Sequence, residues 1–489
     1  MTTRATLPAH YKWWALSATS LGMFMAMLNG TTLLVALPTL IRVLHMSSLL
    51  AIWVMLAYMV TQTVLVLTVG RFSDMYGRKR WYVAGFGLFT VASLAAGFSP
   101  NGQTLLAIRA LQAVGGSLVM GNSTAIVADA FPRQQLGLAL GINSIVIALG
   151  QIAGPVLGGL LVTWFNWHWV FWFNVPIGII GTFWASHLLR DLTPPERHQR
   201  IDYWGNFTYM LSLLGVLIAI TWGGLRGWNS PVVYTGLATA VVGFYVFIRW
   251  EKVVTDPLLK LRLFHIRAFA MGNLSNFFIA MGRGAIVLLF IFYFQGARGD
   301  NALQAGISVI PMAIAMGLTA PVSGWLSDRM GARILATLGA LIMAISLLGF
   351  ALTISLSTPY VIIAMWLTIA GVGNGLFNSP NTSAIMGTVA PEERGIAAST
   401  RTMLLNTGNV FSVGMVLALV AATVPPSIML AIFAGEPTAV NAQGLVHFVH
   451  GLNWAFVFMA LMALISACLS FLRGHQSPAL VEQSQSAVH

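Results

Sequence analysis

Gly70-Arg71-Phe72-Ser73-Asp74-Met75-Tyr76-Gly77-Arg78 closes one long apolar stretch, and Gly324-Trp325-Leu326-Ser327-Asp328-Arg329-Met330-Gly331-Ala332-Arg333 closes another. Both read G-x-x-S-D, then a glycine, then a basic residue, at an offset of 254 residues. A second pair follows two apolar stretches later in each half. It consists of Ser123-Thr124-Ala125-Ile126-Val127-Ala128-Asp129-Ala130-Phe131-Pro132 and Thr382-Ser383-Ala384-Ile385-Met386-Gly387-Thr388-Val389-Ala390-Pro391, at an offset of 259 residues. Two matches at nearly one offset mark an internal repeat. In an apolar chain such a repeat points to two similar helical bundles that rock about a shared site.

The surroundings of these loops explain why the bundles belong in a membrane. Of 489 residues, 57% are hydrophobic and 8% charged, whereas soluble domains carry about 25% charge. That apolar content suffices for roughly fourteen spans of about 20 residues each. A charge at mid-bilayer costs about 2.5–3.5 kcal/mol on insertion scales, so charge-free intervals map the spans. One span each fits 13–41, 43–70, 81–108, 110–128, 203–225, 227–248, 301–327, 402–424 and 448–472. The stretch 268–299 holds another, interrupted by Arg283; 134–189 and 334–391 hold two apiece, dividing at 164–169 and 357–360. The expected fold is an all-α polytopic membrane protein of 14 transmembrane helices. Six-helix bundles occupy 1–190 and 268–473, a two-helix insert and cytoplasmic linker 191–267, and a disordered Ser- and Gln-rich tail 474–489.

Charge placement orients this map. Of 25 Lys and Arg, only Arg42, Arg226 and Arg298 fall in loops on one side, and Arg109, Arg283 and Arg401 lie at membrane depth. The rest collect on the other side, so both termini are expected in the cytoplasm, with the chain in the plasma or inner membrane. The net charge of +12 reflects scarce acids, 13 in all, and no basic tract interleaved with aromatics suggests nucleic acid. None of the four lysines, Lys12, Lys79, Lys252 and Lys260, follows a glycine. A phosphate-cradling GxxxxGK[ST] loop is therefore absent, and with it direct ATP hydrolysis. No nucleophile–base pair or metal-ligand spacing suggests an enzyme, and no cofactor or metal is expected. The lone Cys468 reads as inert packing. The first apolar stretch runs a full span without an A-x-A end, so it reads as a span and not a cleaved signal.

With these residues in view, the sequence resembles the major facilitator superfamily over about 12–473, in its fourteen-span drug/proton antiporter branch (EmrB/QacA type). The loop 70–80, GRFSDMYGRKR, carries the superfamily's most specific signature. Arg109-Ala110-Leu111-Gln112-Ala113-Val114-Gly115-Gly116-Ser117 matches a second motif. Gly150-Gln151-Ile152-Ala153-Gly154-Pro155-Val156-Leu157-Gly158-Gly159 matches one associated with exporters. The run 167–178, WHWVFWFNVPIG, resembles a signature of the branch, with His168 where Arg is more usual.

The resemblance implies roles. Asp74 would meet a helix N-terminus near 395–399, and Arg78 would pair with Asp129, in a gate that closes the cytoplasmic side; Asp328 and Arg333 would be a weaker counterpart. Gly150, Gly154 and Gly158 share a helix face that admits close packing, and Pro155 bends the helix, together forming a hinge or seal. Intramembrane arginines are functional by default, which nominates Arg109 with Gln112, and Arg283 with Asn276, for the substrate and proton pathway. Asn29 stands where the family commonly has an acid, so the cavity is expected to be net positive and the substrate neutral or anionic. Proton coupling then runs through Asp129 or water near Arg109. The expected function is export of amphipathic small molecules by proton antiport through alternating access. An importer or facilitator of a metabolite or organic anion, and a non-transporting or lipid-handling membrane protein, are the alternatives. The expected partners are substrate, protons and bilayer, and no segment suggests docking of a periplasmic adaptor.

Overall fold

The computed structural model describes residues 10–132, 135–192, 201–389, 393–436 and 441–474, and they are helical almost throughout. The first half comprises α1 (Tyr11–Val43), α2 (Ser48–Tyr76), α3 (Arg78–Gly97), α4 (Gly102–Ala130), α5 (Leu136–Trp164), the short α6 (Trp169–Trp172) and α7 (Asn174–Leu188). Then come α8 (Tyr203–Arg226), α9 (Pro231–Glu251), α10 (Arg267–Arg283), α11 (Ile286–Ile291), α12 (Ala302–Ser308) and α13 (Ile310–Met330). The chain continues through α14 (Ala332–Thr353), α15 (Tyr360–Met386), α16 (Arg394–Thr423), α17 (Pro426–Phe433) and α18 (Ala442–Leu472).

Among the described residues, thirteen helical segments are long and apolar enough to cross a membrane, against the fourteen expected. Of the helices of 18 residues or more, α3 falls outside the set; its twenty residues open on Arg78, Lys79 and Arg80 and mix glycine, serine and threonine with the apolar residues. The tail beyond 474, expected to be disordered, lies outside the described residues.

The chain divides into two compact units. One gathers the described residues of Met1–Asn206, Phe294–Ile307 and Phe433–Gly435. Here α1 packs on α4, α5 and α7, while α3 packs on α4 and α7. Tyr82, Phe86 and Phe89, none of them exposed, fill the centre, and the Tyr82 hydroxyl donates to the Ala18 carbonyl at 2.9 Å. The other unit gathers the described residues of Phe207–Tyr293, Ser308–Ile432 and Glu436–His489. Within it α15 packs on α13 and α14, and α18 on α10, α14 and α16. The residues of α8 that fall there anchor on α16: Tyr209 shares a hydrogen bond with Thr407 at 2.6 Å, and Gly224 lies flat against Ala418.

The sequence repeat is also a backbone repeat. Gly77 and Gly331 separate α2 from α3 and α13 from α14, with φ/ψ of 100°/122° and 83°/143°. Each donates its N–H at 2.9 Å to the carbonyl of the signature serine, Ser73 or Ser327. A Cβ resists positive φ, which is why both loops place glycine there. Alanine at either position is expected to cost about 1–2 kcal/mol. The loss should be larger at Gly77, where a Cβ would meet the Asp191 carboxylate at 3.3 Å, than at Gly331, where the space is open. Thermal unfolding of Gly77→Ala beside Gly331→Ala checks this, and equal losses would rule out the Asp191 contribution.

The stretch 268–299 holds one candidate span, Arg267–Ala297, as expected, but its helix is irregular: it breaks after Arg283 at Gly284-Ala285, resumes as α11 and ends in a π-helical turn at Phe292–Ala297. Gly284 keeps helical angles and packs closely on Asn409 and Ser412, and the backbone departs from the helix at Ala285, with φ/ψ of −103°/0°. Two acids, Asp202 and Glu251, are buried; each accepts a backbone N–H, from Gly205 at 2.8 Å and Leu259 at 2.9 Å. Satisfying such a donor is what makes a buried carboxylate tolerable. Cys468, read as inert packing, is free and exposed on α18.

Candidate functional site

In the first unit a polar cluster crosses four helices. The Arg109 guanidinium of α4 donates through Nη1 to Asn29 Oδ1 of α1 at 3.2 Å and to Gln112 Oε1 at 2.5 Å. Gln112 Nε2 in turn donates to Asn29 Oδ1 at 3.2 Å and to Ser93 Oγ of α3 at 2.7 Å. The guanidinium carbon sits 4.3 Å from the centroid of the Tyr58 ring of α2. Arg109 is 2% exposed and Gln112 0%. Positions 109 and 112 are one helical turn apart and share a face, which lets one amide bridge Arg109 to both α1 and α3.

This arrangement has a definite electrostatic character. The charge of Arg109 is met by two amide oxygens and an aromatic face, and none of these contacts is a carboxylate. A desolvated cation over an aromatic ring gains about 2 kcal/mol, and amide dipoles supply the rest. Three sequence-nominated residues, Asn29, Arg109 and Gln112, are thus brought together. Tyr58 and Ser93 complete the cluster and carried no local signal in the sequence, because only the tertiary fold sets them beside Arg109.

At the end of α4 away from its start, Arg78 Nη1 and Asp129 Oδ2 lie 2.5 Å apart, each side chain 23% exposed. The same end is tied by the segment after α7. Asp191 Oδ1 accepts the Lys79 N–H at 2.9 Å, while the Tyr11 hydroxyl donates to the Arg190 carbonyl at 3.3 Å and accepts the Arg190 N–H at 3.0 Å. Asp74 and Asp328 occupy helical backbone, but their side chains lie outside the described residues. In the other unit Arg333 stacks 4.2 Å from the Phe471 ring centroid.

The glycine face of α5 meets α1. A Cβ on Gly150 would reach Met27 Cβ at 2.9 Å and one on Gly158 the Thr32 carbonyl at 2.7 Å, while one on Gly154 would overlap Thr31. Pro155 is inside the helix, and Gly159 faces the backbone of Ala302 and Leu303. Gly158→Leu is expected to lower the unfolding temperature by several degrees, since the obstructing atoms are backbone and cannot rotate away. An unchanged melting curve in detergent would contradict this packing.

Asn276 and Arg283 belong to the second unit, on α10. Asn276 Nδ2 donates to the Arg401 carbonyl of α16 at 3.1 Å, and Arg401 Nη2 donates to Asn378 Oδ1 of α15 at 2.7 Å. Arg401 stood at membrane depth in the sequence, yet only the fold links it to Asn276. Near the α16 start, Glu393 accepts from Lys260 at 3.1 Å and Arg262 at 2.8 Å. The Lys260 hydrogen bond, with Arg262 beside it, holds that carboxyl below its ordinary range. The tie therefore persists above the ordinary carboxylate range and is lost as pH falls through the lowered value. Arg473, 3% exposed, donates to Asn381, whose amide reaches the Gly272 carbonyl at 3.2 Å. Among the described residues no group of His, Cys, Asp and Glu is placed to hold a metal ion.

Comparison with known proteins adds the family. The profile of the Major Facilitator Superfamily matches residues 19–413 and, a second time, 273–487. The chain belongs to the Major Facilitator Superfamily. Superfamily relatives include the riboflavin transporter RibZ of Clostridioides difficile, 32% identical over 79% of this chain and 84% of its own. The multidrug transporter MdtP of Bacillus subtilis is 31% identical over 81% of this chain and 73% of its own. A solved bacterial homologue of the human lysosomal transporter Spinster, inward-facing and unoccupied, shares the fold at a TM-score of 0.65 and 16% identity. It covers 96% of this chain and 100% of that one. This superfamily member is therefore a multi-pass, all-helical membrane protein of the transporter class.

Proposed function

We propose that the protein is a secondary active exporter of amphipathic small molecules, working by alternating access and proton antiport. It falls, in this reading, in the fourteen-span drug/proton antiporter branch. The fourteenth span is α3, and α8 and α9 are inserted between bundles at 1–190 and 268–473, linked through 191–267, with the tail at 474–489. Both termini face the cytoplasm of the cell that carries the protein in its plasma or inner membrane.

The observation that supports this reading most directly is the buried cluster of Arg109, Asn29 and Gln112 in the same unit as the Arg78–Asp129 pair. A charge kept in a membrane at such cost serves a pathway, and a breakable ion pair at the end of the same helix biases a two-state equilibrium. The multidrug-transporter name of MdtP agrees with this reading. The membrane potential suffices as a driving force, since 100 mV gives about 2.3 kcal/mol per charge, or roughly a 40-fold gradient. The transporter name of RibZ and the scarcity of acids near Arg109 favour a second reading, a carrier of a metabolite or organic anion.

Proteoliposomes loaded with a pH dye and given an inward-acid gradient decide between them. A panel of anionic, neutral and cationic amphiphiles is expected to discharge the gradient in a substrate-dependent way. No discharge with any member would reject proton antiport, and uptake without proton flux would favour the facilitator. Orientation is read from cysteines placed at Tyr76 and Met330 after Cys468→Ala; labelling from opposite sides would dissolve the repeat-based topology.

A further inference from the structure

We infer that Arg283 and Arg401 form an anion-binding subsite within the second unit, one that takes the carboxylate, phosphate or sulfonate group of an amphipathic organic molecule. The inference rests on the transporter reading above for its occupant. It goes beyond that reading in naming the substrate's chemical class and the residues that select it.

The two arginines sit on helices in direct contact. Gly408 of α16 lies against the Phe277 carbonyl of α10, Gly284 against Asn409 and Ser412, and Asn276 donates to the Arg401 carbonyl at 3.1 Å. Arg401 spends one nitrogen on Asn378 Oδ1 at 2.7 Å and leaves its Nε without a partner. Among the described residues Arg283 makes no hydrogen bond or ion pair, and both side chains are half-buried. No Asp or Glu occurs on α10, α15 or α16.

Two like charges at membrane depth, with one amide oxygen between them as acceptor, are costly unless something negative joins them. The planar guanidinium fork matches a carboxylate or phosphate bidentately. Half-buried Phe277 and Phe411, ring centroids 6.1 Å apart on the same two helices, offer apolar surface for the rest of the molecule. Arg109 differs on each count: it is 2% exposed and held by two amides and a ring. The positive pocket expected around Arg109 and Arg283 together is thus assigned to Arg283 with Arg401.

The test uses the full chain in nanodiscs of phosphatidylcholine, with dansylglycine as an anionic probe and dansylglycinamide as its neutral counterpart, read by fluorescence anisotropy against empty discs. The wild type is expected to bind dansylglycine at least tenfold more tightly than the amide. Arg283→Gln with Arg401→Gln should bind the two alike, and Arg283→Lys should keep a reduced preference. As a check on folding, the double glutamine variant should unfold no lower than wild type, because the repulsion is gone, and dansylglycine should raise the unfolding temperature of wild type alone. Equal affinities in wild type, absence of binding by either probe, or a preference surviving in the double variant would each overturn the subsite. Adding one-fifth phosphatidylglycerol should leave dansylglycine affinity within twofold; a tenfold loss would make a lipid headgroup the occupant and overturn the assignment to an organic anion. The two proposals fail separately. Proton-coupled export of neutral amphiphiles without charge preference refutes this subsite alone, and the probe preference without proton flux refutes the antiporter alone.

Discussion

Arg109→Ala is expected to lower transport at least a hundredfold while the protein still inserts and purifies. The guanidinium bridges Asn29 and Gln112 across two helices and lies over Tyr58; its removal strands the buried Gln112 oxygen and leaves Asn29 Oδ1 with the Gln112 amide alone. An orphaned buried polar group costs about 1–3 kcal/mol and the lost cation–ring contact about 2 kcal/mol, while about 1.4 kcal/mol is a factor of ten. Arg109→Lys keeps the charge but cannot serve both oxygens in one plane, so it should retain under one-tenth of the activity. Substrate-driven proton flux in proteoliposomes gives the rate, and fluorescence-detected size exclusion reports insertion separately. Transport by Arg109→Ala within twofold of wild type would remove this cluster from the pathway.

The second large effect is expected at the Arg78–Asp129 pair, where Arg78→Gln and Asp129→Asn should each reduce transport about tenfold. The nitrogen and oxygen lie 2.5 Å apart, but both side chains are 23% exposed, so solvent screens part of the attraction. A coupling of about 1 kcal/mol is therefore expected from the double-mutant cycle. Exchanging the two charges, Arg78→Asp with Asp129→Arg, should recover part of what either single change loses. Strictly additive losses would mean that the pair is a structural neighbour and not a unit.

Much of the helical layout is legible in charge alone, and the failures show what charge does not encode. The interval 13–41 lies inside α1, at Tyr11–Val43, because both of its ends meet charges near the helix limits. The interval 81–108 overshoots α3, which stops at Gly97. The turn is made by Ser99-Pro100-Asn101, where the Asn101 side chain caps α4 by accepting the Thr104 N–H at 2.9 Å. That signal is local and polar, and invisible to a count of charges. The interval 402–424 starts late for the opposite reason: α16 begins at Arg394 and carries Arg401 inside it. An arginine with an amide partner is no boundary.

The site divides in the same way. Arg109 and Gln112 are neighbours by helical spacing and could be paired on paper. Asn29, eighty positions before Arg109, is nominated only through a motif, and its meeting with the pair is set by the fold. Tyr58, Ser93 and Asn378 were not nominated, since an aromatic ring, a hydroxyl or an amide in an apolar segment is ordinary packing until the fold sets it against a cation. Asp191 was missed because it sits in a linker and works through the backbone of Lys79.

That last contact bears on how the first unit behaves near Arg78. The Gly77 elbow rests on Asp191, and the neighbouring Arg190 is clasped by the hydroxyl of Tyr11, so three stretches far apart in the chain share one knot. Arg78 leaves that knot one residue after its glycine and has little freedom to swing by itself. Loosening a remote strand, as Tyr11→Phe does, should therefore be felt at the Arg78 side chain, much as slackening one guy rope lets the whole pole lean.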